Sequence, residues 1–554
     1  MQNDHDSLPD DVDALKALLL EKESVIAQNE SVITAQSETI LKQQQTIERK
    51  EQQIAQLLRK HYGPKQERID PDQLMLFSKE EIEQVAQELK KQSGSDEDSA
   101  DDQPPKKKKR KGHGRRRLPE YLPRERVVYE LDEQERACPC CGELRCEIGE
   151  ITSEQLEIVP SKVKVIEHVR KKYACKSCEE HVEVAAKEPQ PIEKGLAGPG
   201  LLAHTVLSKY GDHLPLYRQE DILARHGVTI RRSTLCDWMA AAADLARPLW
   251  LLMQKLVLQS SVIHTDDTIV KMLSPGETKN CRFWVYIGDA AHPYSVYDFT
   301  EDRSRDGPAK FLAGYSGYLQ ADAYGGYDGI YSGGEVVEVA CMAHCRRYWW
   351  EARTTDPRRA HEALSFIGRL YELEEQFRES KLDGDALREA RQRHAVPILD
   401  NFASWLESSR DSVLPKSLIG KAFTYTLNQW SALRRYTEEG FLSIDNNVSE
   451  RTVKIAAIGR KNWMFVGSRT GGERAAILFS LTASAKACGV EPQAYLTDLF
   501  RELGKDNGEE DHLRSMLPDR WLAAHPEHRW EIDALRREER RRSREARIAK
   551  RKRC

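Results

Sequence analysis

No apolar run in this 554-residue chain approaches the roughly 18 residues that a membrane-crossing helix needs, so no span is expected. The N-terminus, Met1-Gln-Asn-Asp-His-Asp6, is acidic and lacks the apolar core of a secretion signal. Neither sign of charge prevails, since 85 Lys and Arg stand against 89 Asp and Glu. The charge is segregated instead, and a local basic patch is what a polyanion meets. Twelve cysteines in a long, unsignalled chain fit metal ligation and buried thiols better than disulfides, and a cytoplasmic setting follows. The length exceeds what one core can serve, so three or more domains are expected.

Pro and Gly are missing from Val12 to Leu58. Over that stretch Val12, Leu19, Ile26, Ile33, Ile40, Ile47 and Ile54 recur every seven residues, one full coiled-coil seam. The second seam mixes Leu15 and Leu57 with Lys22, Asn29, Gln36, Gln43 and Lys50, a pattern that sets register and partner number. Residues 1–60 therefore read as a coiled-coil oligomerisation helix. Residues 61–118 read as a linker, acidic from Ser95 to Asp102 and then basic from Lys106 to Arg117. Nine of those last twelve residues are cations, a density that suits phosphate contact. The Arg-rich end, Arg536 to Arg553, divides evenly between a solvated tail and a second such contact.

Cys138-Pro-Cys-Cys141 and Cys175-Lys-Ser-Cys178 supply the four soft ligands of a tetrahedral zinc site. Strand-like sequence between them gives 119–190 the layout of a zinc ribbon. Residues 191–250 follow as a helix-turn-helix: a helix over Leu216–Arg225, a turn over His226–Ile230, and a second helix from Ser233, with Ser233 as its cap. Arg231, Arg232 and Thr234 stand at the start of that second helix, where bases and phosphates are met.

Five strand-like segments come next, at 261–270, 282–288, 294–299, 317–324 and 335–341. Acids inside or at the ends of apolar strands are costly to bury bare, and a bound divalent cation accounts for them. A charged helical stretch, about 347–440, reads as an insertion. Then Asp445-Asn-Asn-Val-Ser-Glu450 opens a helix that ends near Gly459. A helical wheel places Asn446, Glu450 and Lys454 on one face, with Val448, Thr452 and Ile455 behind. Residues 251–485 thus form an α/β catalytic domain with a helical insertion, and 486–554 a helical segment with a basic tail.

Asp266, Asp322 and Glu450, from the first strand, the fourth strand and a later helix, resemble in order and context the ribonuclease-H-like domain of DDE transposases. Closer motifs are Asp266-Asp-Thr268, Gln320-Ala-Asp-Ala-Tyr-Gly-Gly-Tyr327, Cys341-Met-Ala-His-Cys-Arg-Arg347, Asp445-Asn-Asn-Val-Ser-Glu-Arg451 and Gly459-Arg-Lys-Asn-Trp463. With the coil, the four cysteines and Leu214-Pro-Leu-Tyr-Arg218, the chain is similar to TnpC-type transposases of bacterial insertion sequences. One departure is Asp267, where that family has Glu. Side chains alternate along a strand, so only one of Asp266 and Asp267 faces the site, and Asp266 is the match to the first acid.

The resemblance implies a multidomain α/β fold and an enzyme of DNA transposition, nucleoid-associated in the cytoplasm. Asp266, Asp322 and Glu450 would hold two Mg²⁺ (or Mn²⁺) ions, with one structural Zn²⁺ on Cys138, Cys141, Cys175 and Cys178. Water frees a 3′-hydroxyl at each element end, and that hydroxyl attacks target DNA. Partners implied are the terminal inverted repeats, target DNA, further copies of the chain through the coil, and accessory proteins encoded beside the element. Arg451 and Lys454 are expected to hold phosphate, Arg460, Lys461 and Asn462 to grip DNA beyond the helix, and His344, Arg346 and Arg347 to contact the substrate. Cys341, His344 and Cys345 also form a possible second ligand set, disfavoured because Cys341 reads as the end of a buried strand. Two other readings stand beside this one: a catalytically inactive zinc and helix-turn-helix regulator, and a metal-dependent nuclease without strand transfer.

Overall fold

The computed structural model describes residues 163–173, 183–505 and 509–530, several helical positions between 16 and 50, and residue 542. The zinc-ribbon cysteines, the basic linker, most of the coil seam and nearly all of the Arg-rich tail lie outside the described residues. The chain divides into two units, one of residues 1–86 and 170–554 and one of 87–169. Of the smaller unit, residues 163–169 are described and carry no regular structure. No helix among the described residues is long and apolar enough to cross a membrane.

In the larger unit, β1 (Lys172–Tyr173) pairs antiparallel with β2 (Glu183–Val184). Three helices follow: α1 (Pro199–Tyr210), α2 (Leu216–Arg225) and α3 (Arg232–Val257). The first helix of the expected pair is found as read. The second differs: it begins at Arg232, its Arg231 cap makes no side-chain bond, and it runs for 26 residues. Apolar residues from Leu235 to Val257 keep helical spacing, so one helix does the work expected of a short helix and a connector. The expected boundary at 250 therefore lies inside α3. Trp250 donates its indole N–H to the Tyr297 carbonyl at 3.1 Å, and α1–α3 share one apolar core with the sheet beyond.

That sheet has five strands in the order β5-β4-β3-β6-β7, with a sixth, β8, beside β3. Long β3 (Val262–Ser274) and β4 (Glu277–Ile287) form a hairpin, and β5 (Ser295–Thr300) continues it antiparallel. On the other side β6 (Gly317–Gln320) and β7 (Val336–Val339) run parallel to β3. All five expected strands are present, but the fourth stops at Gln320, so Asp322 follows that strand instead of belonging to it. The sixth, β8 (Phe465–Val466), is too short to carry a periodicity.

The outer edge of β5 is closed rather than exposed. Ser480 and Ser484, on α13 (Arg469–Ala487), accept the backbone N–H groups of Tyr297 and Ser295 at 2.8 and 3.0 Å. That removes an open ladder edge. Phe479 of the same helix is fully buried among Tyr210, Phe283 and Tyr297. Truncating such a ring to Ala costs about 3–5 kcal/mol.

Short α4 (Asp306–Phe311) and α5 (Asp328–Tyr331) follow β5 and β6. After β7 come six helices: α6 (Met342–Ala352), α7 (Pro357–Glu379), α8 (Gly384–His394), α9 (Val396–Ser409), α10 (Leu418–Asn428) and α11 (Trp430–Arg434). They are the expected insertion, and they have a core of their own built on Trp349, Phe402 and Phe423. The chain then returns to the sheet as α12 (Asn447–Trp463). It closes with α14 (Pro492–Leu503), α15 (Glu510–Ser515) and α16 (Pro518–Ala524).

Candidate active site

Strand β3 is paired on one side at both ends and open in the middle. Val262–His264 pair with β6, Lys271 and Met272 pair with β8, and among the described residues no strand pairs with the stretch between on that side. Helix α12 fills the gap with side chains from its two ends. Asn446 Nδ2 donates to the Thr265 carbonyl at 2.9 Å, and Arg460 donates to the Ile269 carbonyl. Asp266 lies between those two ties, and Glu450 lies on the helix that makes them. Parallel pairing of β3 with β6 brings Asp322, two residues past Gln320, to the same place.

Further bonds fix the segment leading into α12. Gln320 donates to the Ser443 carbonyl at 2.7 Å, Met342 N to the Ile444 carbonyl at 3.1 Å, and Asn446 N to Cys341 Sγ at 3.1 Å. Asp445 accepts from Asn447 N at 3.1 Å and from Tyr371 OH at 3.0 Å. From the insertion, Arg391 donates to the carbonyls of Tyr436, Glu439 and Leu442. All three acids are thereby held by backbone ties that converge on residues 436–446.

The electrostatics mark the acids as a group. Burial, then the Asp322 carboxylate, push the Asp266 carboxyl up to about 8, with Asp267 and Glu450 adding to it and the Asp267 N–H opposing. Burial also raises Asp322, against the pull of Arg303, and raises Glu450, against the pull of Arg347. Three half-exposed carboxyls that all resist ionisation together form a hard oxygen donor set short of positive charge. The donor set fits a divalent cation.

Asp267 has a different fate. Its side chain is 3% exposed, and both oxygens are engaged: Arg282 donates to Oδ2 at 2.8 Å, and Arg303 donates to Oδ1 at 3.0 and 2.8 Å. Arg303 also lies 3.7 Å from Asp322 Oδ2 and 3.9 Å above the Tyr324 ring, and Tyr324 OH donates to its carbonyl. Nothing in the sequence singled out Arg303. It stands in the loop after β5, with no motif around it.

The remaining expected residues fall into three groups. Arg347 is exposed near the acids, and His344 Nδ1 lies 3.5 Å from Glu450 Oε1 without the alignment of a hydrogen bond. Burial, then Arg347, lower the His344 imidazole to about 4. Arg346 is half-buried on the same helix. Arg451, Lys454 and Lys461 are exposed on α12 and Asn462 is half-buried there. Arg231 and Arg232 are exposed and Thr234 half-buried at the start of α3, and no hydrogen bond or ion pair among the described residues ties them to the acids.

Three expectations about α12 are corrected. Asn446 precedes the helix and is 1% exposed, so it does not present its amide beside Glu450. The buried stripe is Ser449, Val453, Ala456 and Gly459, because small residues let the helix approach the sheet. Val448 and Ile455 pack only partly against that core, and Lys454 is exposed. The helix runs through Gly459 to Trp463, so Arg460, Lys461 and Asn462 form its last turn. Arg460 donates from that turn to the β3 backbone.

Comparisons with known proteins agree with this organisation. A model of the IS66 family transposase matches residues 194–474. A zinc-finger binding domain of transposase IS66 matches residues 135–179, which include all four expected zinc ligands. The model described as transposase C of IS166 homeodomain matches residues 49–127, and the IS66 C-terminal element matches 480–518. Among curated proteins of Sinorhizobium fredii, the uncharacterized protein y4jD is 34% identical over 73% of this chain and 82% of its own. The uncharacterized protein y4qI is 30% identical over 90% of this chain and 95% of its own. With its central family model covering half of its length and its relatives spanning most of it, the chain belongs to the IS66 family of transposases.

Proposed function

We propose that the chain is a Mg²⁺-dependent DNA transposase that frees 3′-hydroxyls at insertion-sequence ends and joins them to target DNA. The observation that carries this is that Asp266 stands in the gap in β3 and is acted on there by both the Asp322 and the Glu450 carboxylates. The strand order β5-β4-β3-β6-β7, three antiparallel strands followed by two parallel ones, supports a ribonuclease-H-like catalytic domain. The raised pKa values of all three carboxyls support cation binding there.

In this reading the three acids ligate the cations, and two divalent ions would activate the attacking oxygen and steady the leaving one. Arg303 and Arg347 flank the acids and bind the phosphate on either side of the scissile bond. Asp267 is the positioning residue that aims Arg303, a fork that matches a phosphate in two contacts. Arg451 and Lys454 hold DNA along the exposed side of α12. Arg231, Arg232 and Thr234 meet DNA at the start of α3, and the four cysteines hold zinc in the ribbon. Exposed Ile26 and Ile33, both on helix, offer the seam through which copies pair.

The test incubates protein, Mg²⁺, labelled element ends and a target plasmid. Joined product that disappears in Glu450→Gln is expected. Cleavage without joining would reduce the activity to that of a nuclease. Binding with neither reaction, in the presence of Mg²⁺, would leave a DNA-binding regulator.

A further inference from the structure

We infer that Cys341, His344 and Glu450 form a second metal site, selective for a thiophilic divalent cation such as Zn²⁺, that competes with the acid cluster for Glu450. The three candidate ligand atoms, Cys341 Sγ, an imidazole nitrogen of His344 and a Glu450 carboxylate oxygen, all lie within 4.8 Å of one another. Zinc bond lengths imply separations of roughly 3.5 Å in a tetrahedron. Side-chain rotations of about an ångström close the set.

The local fold supplies what such a site needs. Cys341 caps the N-terminus of α6 and His344 follows three residues on, so both side chains lie at the first turn. The end of an 11-residue helix favours negative charge, and Asn446 N–H already points at the sulfur from 3.1 Å. His344 Nδ1 is buried and has no hydrogen-bond partner. A buried polar atom left in that condition costs about 1–3 kcal/mol, which a metal bond would recover. Glu450, partly exposed, provides the third arm and an approach from solvent.

The donor sets of the two sites differ in hardness. Sulfur, nitrogen and one oxygen suit zinc, whereas three carboxylates suit magnesium. On binding, the thiol proton of Cys341 passes to solvent and the thiolate takes the cation. Cys345 takes no part, because its Sγ lies 3.2 Å from Thr426 Oγ1 inside the insertion core. Glu450 cannot serve both cations fully, so zinc occupancy withdraws one arm from the acid cluster. Only this last step, inhibition, rests on the proposed catalytic function. Metal binding does not.

The experiment dialyses the full-length protein against Zn²⁺ alone and counts bound metal. The wild type should retain one more equivalent than Cys341→Ser, which keeps an acceptor for Asn446 N–H. His344→Gln should show the same deficit if the serine variant does not fold. The ribbon cysteines are identical in all three proteins, so their zinc cancels in the difference. With Co²⁺ as probe, the near-ultraviolet thiolate band should shrink in Cys341→Ser. Equal metal counts in wild type and both variants would overturn the site. In the Mg²⁺ assay, the Zn²⁺ concentration that halves activity should rise at least tenfold in Cys341→Ser. An unchanged value would overturn the competition for Glu450. A protein that binds the extra zinc yet neither cuts nor joins DNA would sink the catalytic reading and leave this site standing.

Discussion

Two groups of charge among the described residues are built on opposite principles. In the insertion, Arg391 meets Glu374 through two bonds of 2.8 and 2.7 Å and spends its remaining nitrogen on three backbone carbonyls. Each of its three nitrogens has an acceptor, and charge balances charge. At the gap in β3, Asp322 and Glu450 both act on Asp266, and the nearby Arg303 and Arg347 do not offset the burial that raises all three carboxyls. In a balanced pair, mutual attraction and hydrogen bonds offset the desolvation of both charges and fix geometry. An unbalanced cluster costs stability, and it persists where a ligand completes it. The two are connected, since Arg391 pins the segment that leads into the Glu450 helix. The insertion therefore acts as the scaffold of the third acid.

Removing one member of each group should produce opposite results. Asp266→Asn should abolish cleavage, a loss of at least about 10³-fold, or roughly 4 kcal/mol of barrier. In the absence of divalent metal the same variant should melt no lower than wild type, and higher if repulsion among the acids governs. Arg391→Met strands Glu374 without a partner and should destabilise the fold by about 3–5 kcal/mol, read as a fall in melting temperature. If Asp266→Asn destabilised as much as Arg391→Met, the contrast between the groups would fail.

Metal should complete only the unbalanced group. Mn²⁺ or Mg²⁺ at about 100 times its dissociation constant should stabilise wild type by about 2.7 kcal/mol. Asp266→Asn should lose that gain and Arg391→Met should keep it, as thermal melts with and without metal would reveal. Arg303→Lys should have the smallest effect, because the charge stays while the fork is lost. About a tenfold fall in cleavage is expected, from about 1.4 kcal/mol. Asp267→Asn should reproduce it, and the double variant should fall little further if the two residues act as a unit.

Much of this was legible in the sequence, for reasons visible in particular residues. The five strands were readable because β-branched and aromatic runs end at Gly or at acids, as at Gly288 and Asp322. Asp266 and Asp322 stood out because bare carboxylates in apolar strands demand a partner, and Glu450 gained its role from them and from the family motif. Alternation allowed only one of Asp266 and Asp267 to face the site, and the match to the family motif selected Asp266. The structure adds the cause, since Arg282 and Arg303 occupy Asp267, while Asp266 makes no ion pair among the described residues. Arg303 itself was invisible, because a loop arginine gains meaning only from what lies across from it. Asn446 was assigned to the wrong side of its helix because wheel geometry does not hold for a residue that precedes the first turn. Gly459 looked like a stop, yet it serves as a contact, with the Trp463 indole against its backbone. The family assignment needed none of this geometry, because the motifs are long and keep their order.

The most direct test of the central claim is anomalous diffraction from Mn²⁺ in crystals of the full-length protein. Manganese should be coordinated by carboxylate oxygens of Asp266, Asp322 and Glu450 together, with Asp267 still bound to Arg282 and Arg303. Manganese absent from that position, or held by Asp267 in place of Asp266, would contradict it.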